Sequence, residues 1–173
     1  YSSLNSIVSM LDKSKNVKLK HELTEICLIK MPDEIRNYGI TTMCGPFFSS
    51  LPYILNSSLD YHSFSHVRYT PHYYWIDNGD SKKIKETILT NLNIHKKNNI
   101  SNYNKMIRDA ERFIPIMSNC KYIKSNFEIK TVLQQNEKDD GRPILFLKDY
   151  IVNDFNCVLG SKIDNIYEMK EFL

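Results

Sequence analysis

Residues 17–31, VKLKHELTEICLIKM, decide the fold. Val17, Leu19 and His21 alternate strictly, and the run then enters the apolar stretch Ile26, Cys27, Leu28 and Ile29. Alternation at period two predicts one long strand. Its rival is a helix from Glu22 to Lys30, whose residues are fair helix formers. Pro32 and Asp33 break the element. Two short runs follow, GITTM at 39–43 and FFSSL at 47–51, on either side of Gly45 and Pro46. β-branched and aromatic residues flanking a Gly-Pro turn predict a hairpin. Residues 61–75, YHSFSHVRYTPHYYW, form a third run of β-formers, in which Pro71 limits pairing. Residues 77–80, DNGD, are a turn signal.

Helical spacing begins beyond that turn. Ile84, Ile88, Leu89 and Leu92 fall on one face, and Asn98 and Asn99 interrupt the pattern. Ser101 is placed to cap a second helix. Its apolar face is Tyr103, Met106, Ile107, Ala110, Phe113, Ile114 and Met117, with Pro115 disturbing the last turn. Residues 122–134 alternate at Phe127, Ile129, Thr131 and Leu133 and predict a strand. Residues 139–141 are a turn, 144–147 and 156–159 are short strands, and 163–173 return to helical spacing. Residues 1–10 form a short helical turn or a linker. Strands do not alternate one by one with helices. The fold class is therefore α+β: a mixed, mostly antiparallel sheet with helices packed on one face.

Composition narrows the function classes. Five glycines, at 39, 45, 79, 141 and 160, are too far apart for G-x-G-x-x-G or for G-x-x-x-x-G-K-[ST]. The chain therefore holds no recognisable nucleotide-phosphate cradle. A net charge of +3, spread along the chain, is too weak for a nucleic-acid stripe. Cys27, Cys44, Cys120 and Cys157 form no C-x-x-C pair, so reduced cysteines in a cytoplasmic protein are expected, without zinc or a disulfide framework. No apolar run reaches the length of a membrane span. The first residue is Tyr1, so a segment upstream of it is expected.

The densest polar and aromatic stretch holds His62, His66, Arg68, Tyr69, His72, Tyr73, Tyr74 and Trp75. In one continuous strand His62, His66, Arg68 and His72 share a face. That face reads as cross-sheet hydrogen bonding, as a substrate-facing wall, or as the ligands of a metal hydrolase (His62, His66 and His72). Their spacing fits no compact zinc motif, so no metal is expected. Arg142, just after a tight turn, can offer a planar fork to a carboxylate. Gly160, Ser161 and Lys162 stand between a strand and a helical pattern, where an anion is favoured. Glu22 and Glu25 read as solvated or cross-strand paired carboxylates.

Four segments together, 39–48 (GITTMCGPFF), 64–72 (FSHVRYTPH), 140–143 (DGRP) and 158–167 (VLGSKIDNIY), resemble the C-terminal portion of FAD-dependent oxidoreductases of the D-amino-acid oxidase and glycine oxidase superfamily. The resemblance implies a substrate-binding, flavin-capping domain over 1–157 and a return to the FAD domain over 158–173. It implies flavin contacts at Gly160, Ser161 and Lys162, and substrate contacts at Arg68, His72 and Arg142, with Arg68 or Arg142 as the carboxylate-binding arginine. The dinucleotide-binding segment is missing, so FAD is expected in the full-length protein and not on this stretch alone. The implied activity is oxidation of an amine or 2-hydroxy-acid-like small molecule by hydride transfer to the flavin. No catalytic acid or base in this chain follows from it. The expected partners are the substrate and the missing FAD domain, with homo-oligomers through the exposed interface, and neither nucleic acid nor membrane. The alternative is a stand-alone small-ligand-binding or interaction module without redox activity.

Overall fold

The computed structural model describes residues 4–45, 47–55, 58–77, 81–134, 144–160, 167 and 170. The chain runs α1 (Leu4–Leu11), a 3-10 turn (Lys13–Lys15), β1 (Leu19–Lys30), β2 (Ile40–Thr42), β3 (Phe48–Leu55), β4 (Ser58–His66), β5 (Pro71–Asp77), α2 (Ser81–Asn98), α3 (Tyr103–Ala110), a second 3-10 turn (Pro115–Asn119), β6 (Lys121–Leu133), β7 (Leu145–Leu147) and β8 (Cys157–Leu159). The fold is α+β with a mostly antiparallel sheet. Among the described residues, no helix is long and apolar enough to cross a membrane.

The first sheet has the order β2-β3-β4-β1-β5, and β6 also pairs with β1. β1 is therefore the strand on which the sheet is assembled. It is antiparallel to β4, with Cys27 opposite Phe64 and Ile29 opposite His62. β3 is antiparallel to both β2 and β4. The long strand and the late strand β6 arise where the period-two pattern places them, and the hairpin of β2 and β3 where β-formers flank the Gly-Pro turn. Gly45, at φ +99°, takes a backbone conformation in the hairpin loop that only glycine adopts at little cost.

The chain divides into two compact units. One comprises Glu22–Tyr74 and Thr87–Ile129. In it Cys27, Ile29, Met31, Phe48 and Phe64 from the sheet pack with Met106, Ile107, Ala110, Met117 and Cys120 from α3 and the following turn. Register puts Leu51 and Tyr53 of β3 on the opposite side from Phe48, and both are exposed. The helical layer thus covers one face. The other unit comprises Tyr1–His21, Trp75–Glu86 and Lys130–Leu173. Val8, Leu19, Leu133 and Cys157 are buried there, and β7 pairs with β8. Asn5 braces its N-terminal part: its Nδ2 donates to the Val17 carbonyl (2.8 Å) and to Asp77 Oδ2 (2.9 Å), and its Oδ1 accepts from Val17 N. His21 Nδ1 lies 2.9 Å from Thr131 Oγ1, and its Nε2 lies 3.5 Å from Asp77 Oδ2.

Three expectations change. The run 61–75 is two strands, because residues 67–70 form a turn and Pro71 starts β5. The helix expected to reach Met117 stops at Ala110. Ile114, before Pro115, is extended (φ −132°, ψ 87°), since a proline disfavours helical backbone at the preceding residue. Met117 still reaches the core, from the 3-10 turn, while Phe113 is exposed. On α2 the inward residues are Ile88 and His95, two turns apart, and Leu89 is exposed. The turn at 139–141 lies outside the described residues, and so does nearly all of the helical pattern at 163–173.

Candidate functional site

The candidate site lies in the unit 22–74 with 87–129, where the turn at 67–70 meets β1 and the start of α3. Leu23, Cys27 and Ile29 of β1 are buried on one face of the strand, and Glu25 sits on that face between Leu23 and Cys27. It is completely buried. An unpaired buried carboxylate is very unfavourable, so its partners decide its state. His72 Nε2 lies 2.8 Å from Glu25 Oε2. The Asn102 backbone N–H donates to the same oxygen at 2.8 Å, one residue before α3. Ser101 Oγ and Ser125 Oγ both donate to Oε1, and Cys27 Sγ donates to it at 3.3 Å. Burial works to raise the Glu25 carboxyl. The bonds from His72, Ser101, Ser125 and Asn102 outweigh it and hold the group down at about 2. Glu25 is therefore a carboxylate, and His72 carries a proton on Nε2 to meet it. Burial, followed by the neighbouring Glu25 charge, pushes the Cys27 thiol up to about 12.

The far side of His72 is aromatic. Its ring is 5.1 Å from His95 and 5.5 Å from Phe127, both edge to face, and Tyr73 is 5.4 Å from His95. His95 Nδ1 donates to the Asn91 carbonyl one turn earlier on α2, at 2.9 Å. These rings fix His72, whose Nε2 has Glu25 at 2.8 Å and the Asn102 side-chain amide at 3.4 Å as polar neighbours.

The turn at 67–70 is held from several sides. Tyr69 N and Thr70 N both donate to the His66 carbonyl, and Thr70 Oγ1 accepts from His66 N. Glu25 N donates to the Thr70 carbonyl, and Asn102 Nδ2 to the Tyr69 carbonyl. Arg68 N donates to His66 Nδ1 at 3.2 Å. His66 Nε2 lies 3.0 Å from Asp109 Oδ2 on α3, and Asp109 Oδ1 meets Arg112 at 3.3 Å. Burial lowers the His66 pKa, with Asp109 opposing and Arg68 assisting. The Arg68 side chain is exposed, and among the described residues it has no ion-pair partner. Beside it, Val67 is exposed and donates its N–H to the carbonyl of Phe47, which is also exposed.

The four-residue wall of His62, His66, Arg68 and His72 does not form. The turn removes Arg68 from the strand, and each histidine turns inward to its own partner. For His62 these are Ser50 Oγ at Nδ1 (3.0 Å) and the Arg36 carbonyl at Nε2 (2.8 Å). Among the described residues no group of three or more His, Cys, Asp or Glu is arranged to hold a metal ion. Of the two readings of Glu25, the cross-strand one holds, through His72 on β5 and Ser125 on β6, and the solvated one does not; its complete burial and the bonds from Ser101 and Asn102 go beyond it. Its parity with Cys27 and Ile29 on β1 was the available signal, and a charge within an apolar alternation marks a buried, partnered group. Ser101, Asn102, Asp109 and Ser125 carried no such signal. Of the other site residues, Gly160 directly follows β8 in the second unit, while Arg142, Ser161 and Lys162 lie outside the described residues. No protein-family model, curated protein or solved structure matches this chain.

Proposed function

We propose that this chain is the substrate-binding portion of an FAD-dependent oxidoreductase acting on a small amine or 2-hydroxy acid, with Arg68 as the anchor for the substrate carboxylate. The observation that carries this reading is an exposed guanidinium, without an ion-pair partner among the described residues, on a turn whose backbone is tied down by His66, Thr70, Glu25 and Asn102. A planar cation on a fixed backbone can recognise a carboxylate through two parallel hydrogen bonds at low entropic cost. Exposed Val67, the preceding residue, and Phe47, whose carbonyl accepts from Val67 N–H, offer apolar surface that suits the carbon skeleton of a small acid. His72, locked to Glu25, acts here as a support for the turn. The bound flavin would supply the hydride acceptor. The roles given to this chain are binding and orientation. Flavin contacts at Gly160, Ser161 and Lys162, a carboxylate contact at Arg142, and a cytoplasmic location complete the proposal.

The test is the visible spectrum of the full-length gene product, followed by substrate kinetics. Flavin absorption, with Arg68→Ala weakening kcat/KM for 2-amino and 2-hydroxy acids about 30-fold or more, is the expected result; that is the loss of one charge-assisted contact of about 2 kcal/mol. A colourless full-length protein removes the redox reading. The Arg68 turn would then belong to a stand-alone module that binds small carboxylates.

A further inference from the structure

We infer that neutral His66 is the positioning residue for Arg68: its Nδ1 lone pair holds the Arg68 backbone, and a proton added there releases the turn. The inference rests on the reading of Arg68 as a carboxylate anchor and adds a proton-controlled step to it.

A neutral imidazole has one donor and one acceptor nitrogen. The Arg68 backbone N–H can only donate, so the Nδ1 it meets at 3.2 Å is bare. The proton is on Nε2, directed at Asp109 Oδ2. One ring is thus read by two elements, the turn on one nitrogen and α3 on the other. Tyr69 at 4.7 Å and Phe48 at 6.4 Å, the latter within 16° of parallel, flank the ring. The side chain is fully buried. The charged and titratable groups around it are Asp109 of α3 with its partner Arg112, and Arg68 and Tyr69 of the turn; β3 contributes the apolar Phe48. Protonation of Nδ1 sets one N–H against another. Turning the ring would forfeit the Asp109 bond and the flanking contacts, so the turn gives way and Arg68 is displaced. Burial keeps the ring neutral at pH 7, and the change falls below the ordinary histidine range.

The experiment is NMR on the protein from about pH 7.5 to about pH 5, following the His66 ring nitrogens and the Arg68 and Thr70 amides, with glycolate as the carboxylate probe. The expected result is a bare Nδ1 at neutral pH, and amide shifts of Arg68 and Thr70 that share the His66 midpoint. Glycolate affinity should fall about tenfold or more over the same range. His66→Asn keeps an acceptor near the Nδ1 position and does not titrate, so its Arg68 amide and its glycolate affinity should stay constant. If that variant does not fold, Asp109→Asn should lower the His66 midpoint, with the Arg68 amide following it. A protonated Nδ1 at neutral pH, or an Arg68 amide that stands still while His66 titrates, overturns the inference. Coupled titration without glycolate binding at any pH supports His66 as the positioner of the turn and sinks the carboxylate reading of Arg68 instead.

Discussion

Glu25 meets donors from two other strands, β5 and β6, and from the chain just before α3, and its neighbours are arranged around its charge. Glu25→Ala leaves His72, Ser101, Ser125 and the Asn102 N–H without their acceptor. The loss should be about 3–5 kcal/mol in denaturant unfolding, the scale of breaking a buried charged pair from one side. Ser125→Ala removes one donor of several and should cost about 1 kcal/mol. Equal losses for the two variants would mean that Glu25 is not the centre of the network. The same groups set an acid limit. Burial depresses the pKa of His21 and of His66 in the folded state, so below about pH 6.5 the unfolded chain binds more protons and stability falls. Glu25 acts in the same direction at lower pH. Its folded value of about 2 lies below the ordinary 4.5, so its contribution is complete above 4.5 and is lost as the pH drops towards 2. Thermal melts from pH 8 to pH 4 (approximate limits) should show a midpoint that falls steadily below neutrality. A midpoint rising between pH 7 and pH 5 would contradict the neutral assignment of the two histidines.

At the scale of elements, β1 has partners on both edges. β4 and β5 pair with it, and β6 also pairs with it. Two contacts with β6, His21 with Thr131 and Thr24 with Glu128, keep one register, and the Gln134 N–H to the Lys18 carbonyl continues it just beyond the two strands. Its residues Leu19, Leu23, Cys27 and Ile29 are all fully buried. Amide exchange should therefore be slowest in β1, approaching the rate of global unfolding, and faster in the three-residue strand β2. Hydrogen-exchange mass spectrometry that found β2 as protected as β1 would contradict this topology. The elements themselves were largely legible. Alternation of Leu19, His21, Leu23 and Glu25 marks a strand because a pleat sends successive side chains to opposite faces. Helical spacing at Met106, Ile107 and Ala110 marks α3 for the equivalent reason. The break of 61–75 at the turn was only half legible. Pro71 signalled it, but donors that hold the turn, the Glu25 N–H and the Asn102 side-chain amide, are remote in sequence.

At the scale of the molecule, several large apolar side chains stand exposed in the unit that carries Arg68, among them Tyr38, Met43, Phe47, Val67 and Phe113. If a flavin-binding domain covers part of this surface, the isolated 173-residue chain should self-associate, because uncovered apolar patches do so. Light scattering should show a mass that rises with concentration, and a monomer throughout would count against a covering domain. The sequence alone determined the α+β class, the long first strand, the hairpin at Gly45 and the lack of a G-x-G-x-x-G or G-x-x-x-x-G-K-[ST] motif. Those follow from periodicity, turn residues and spacing, which are local properties. Only the tertiary structure decided that Glu25 is buried, that each histidine has its own partner, and that Arg68 leaves the strand for an exposed turn. A side chain's burial and charge depend on what the rest of the chain brings to it. The groups that fix Glu25, at 72, 101, 102 and 125, come from two separate strands and a loop, and no local pattern connects them.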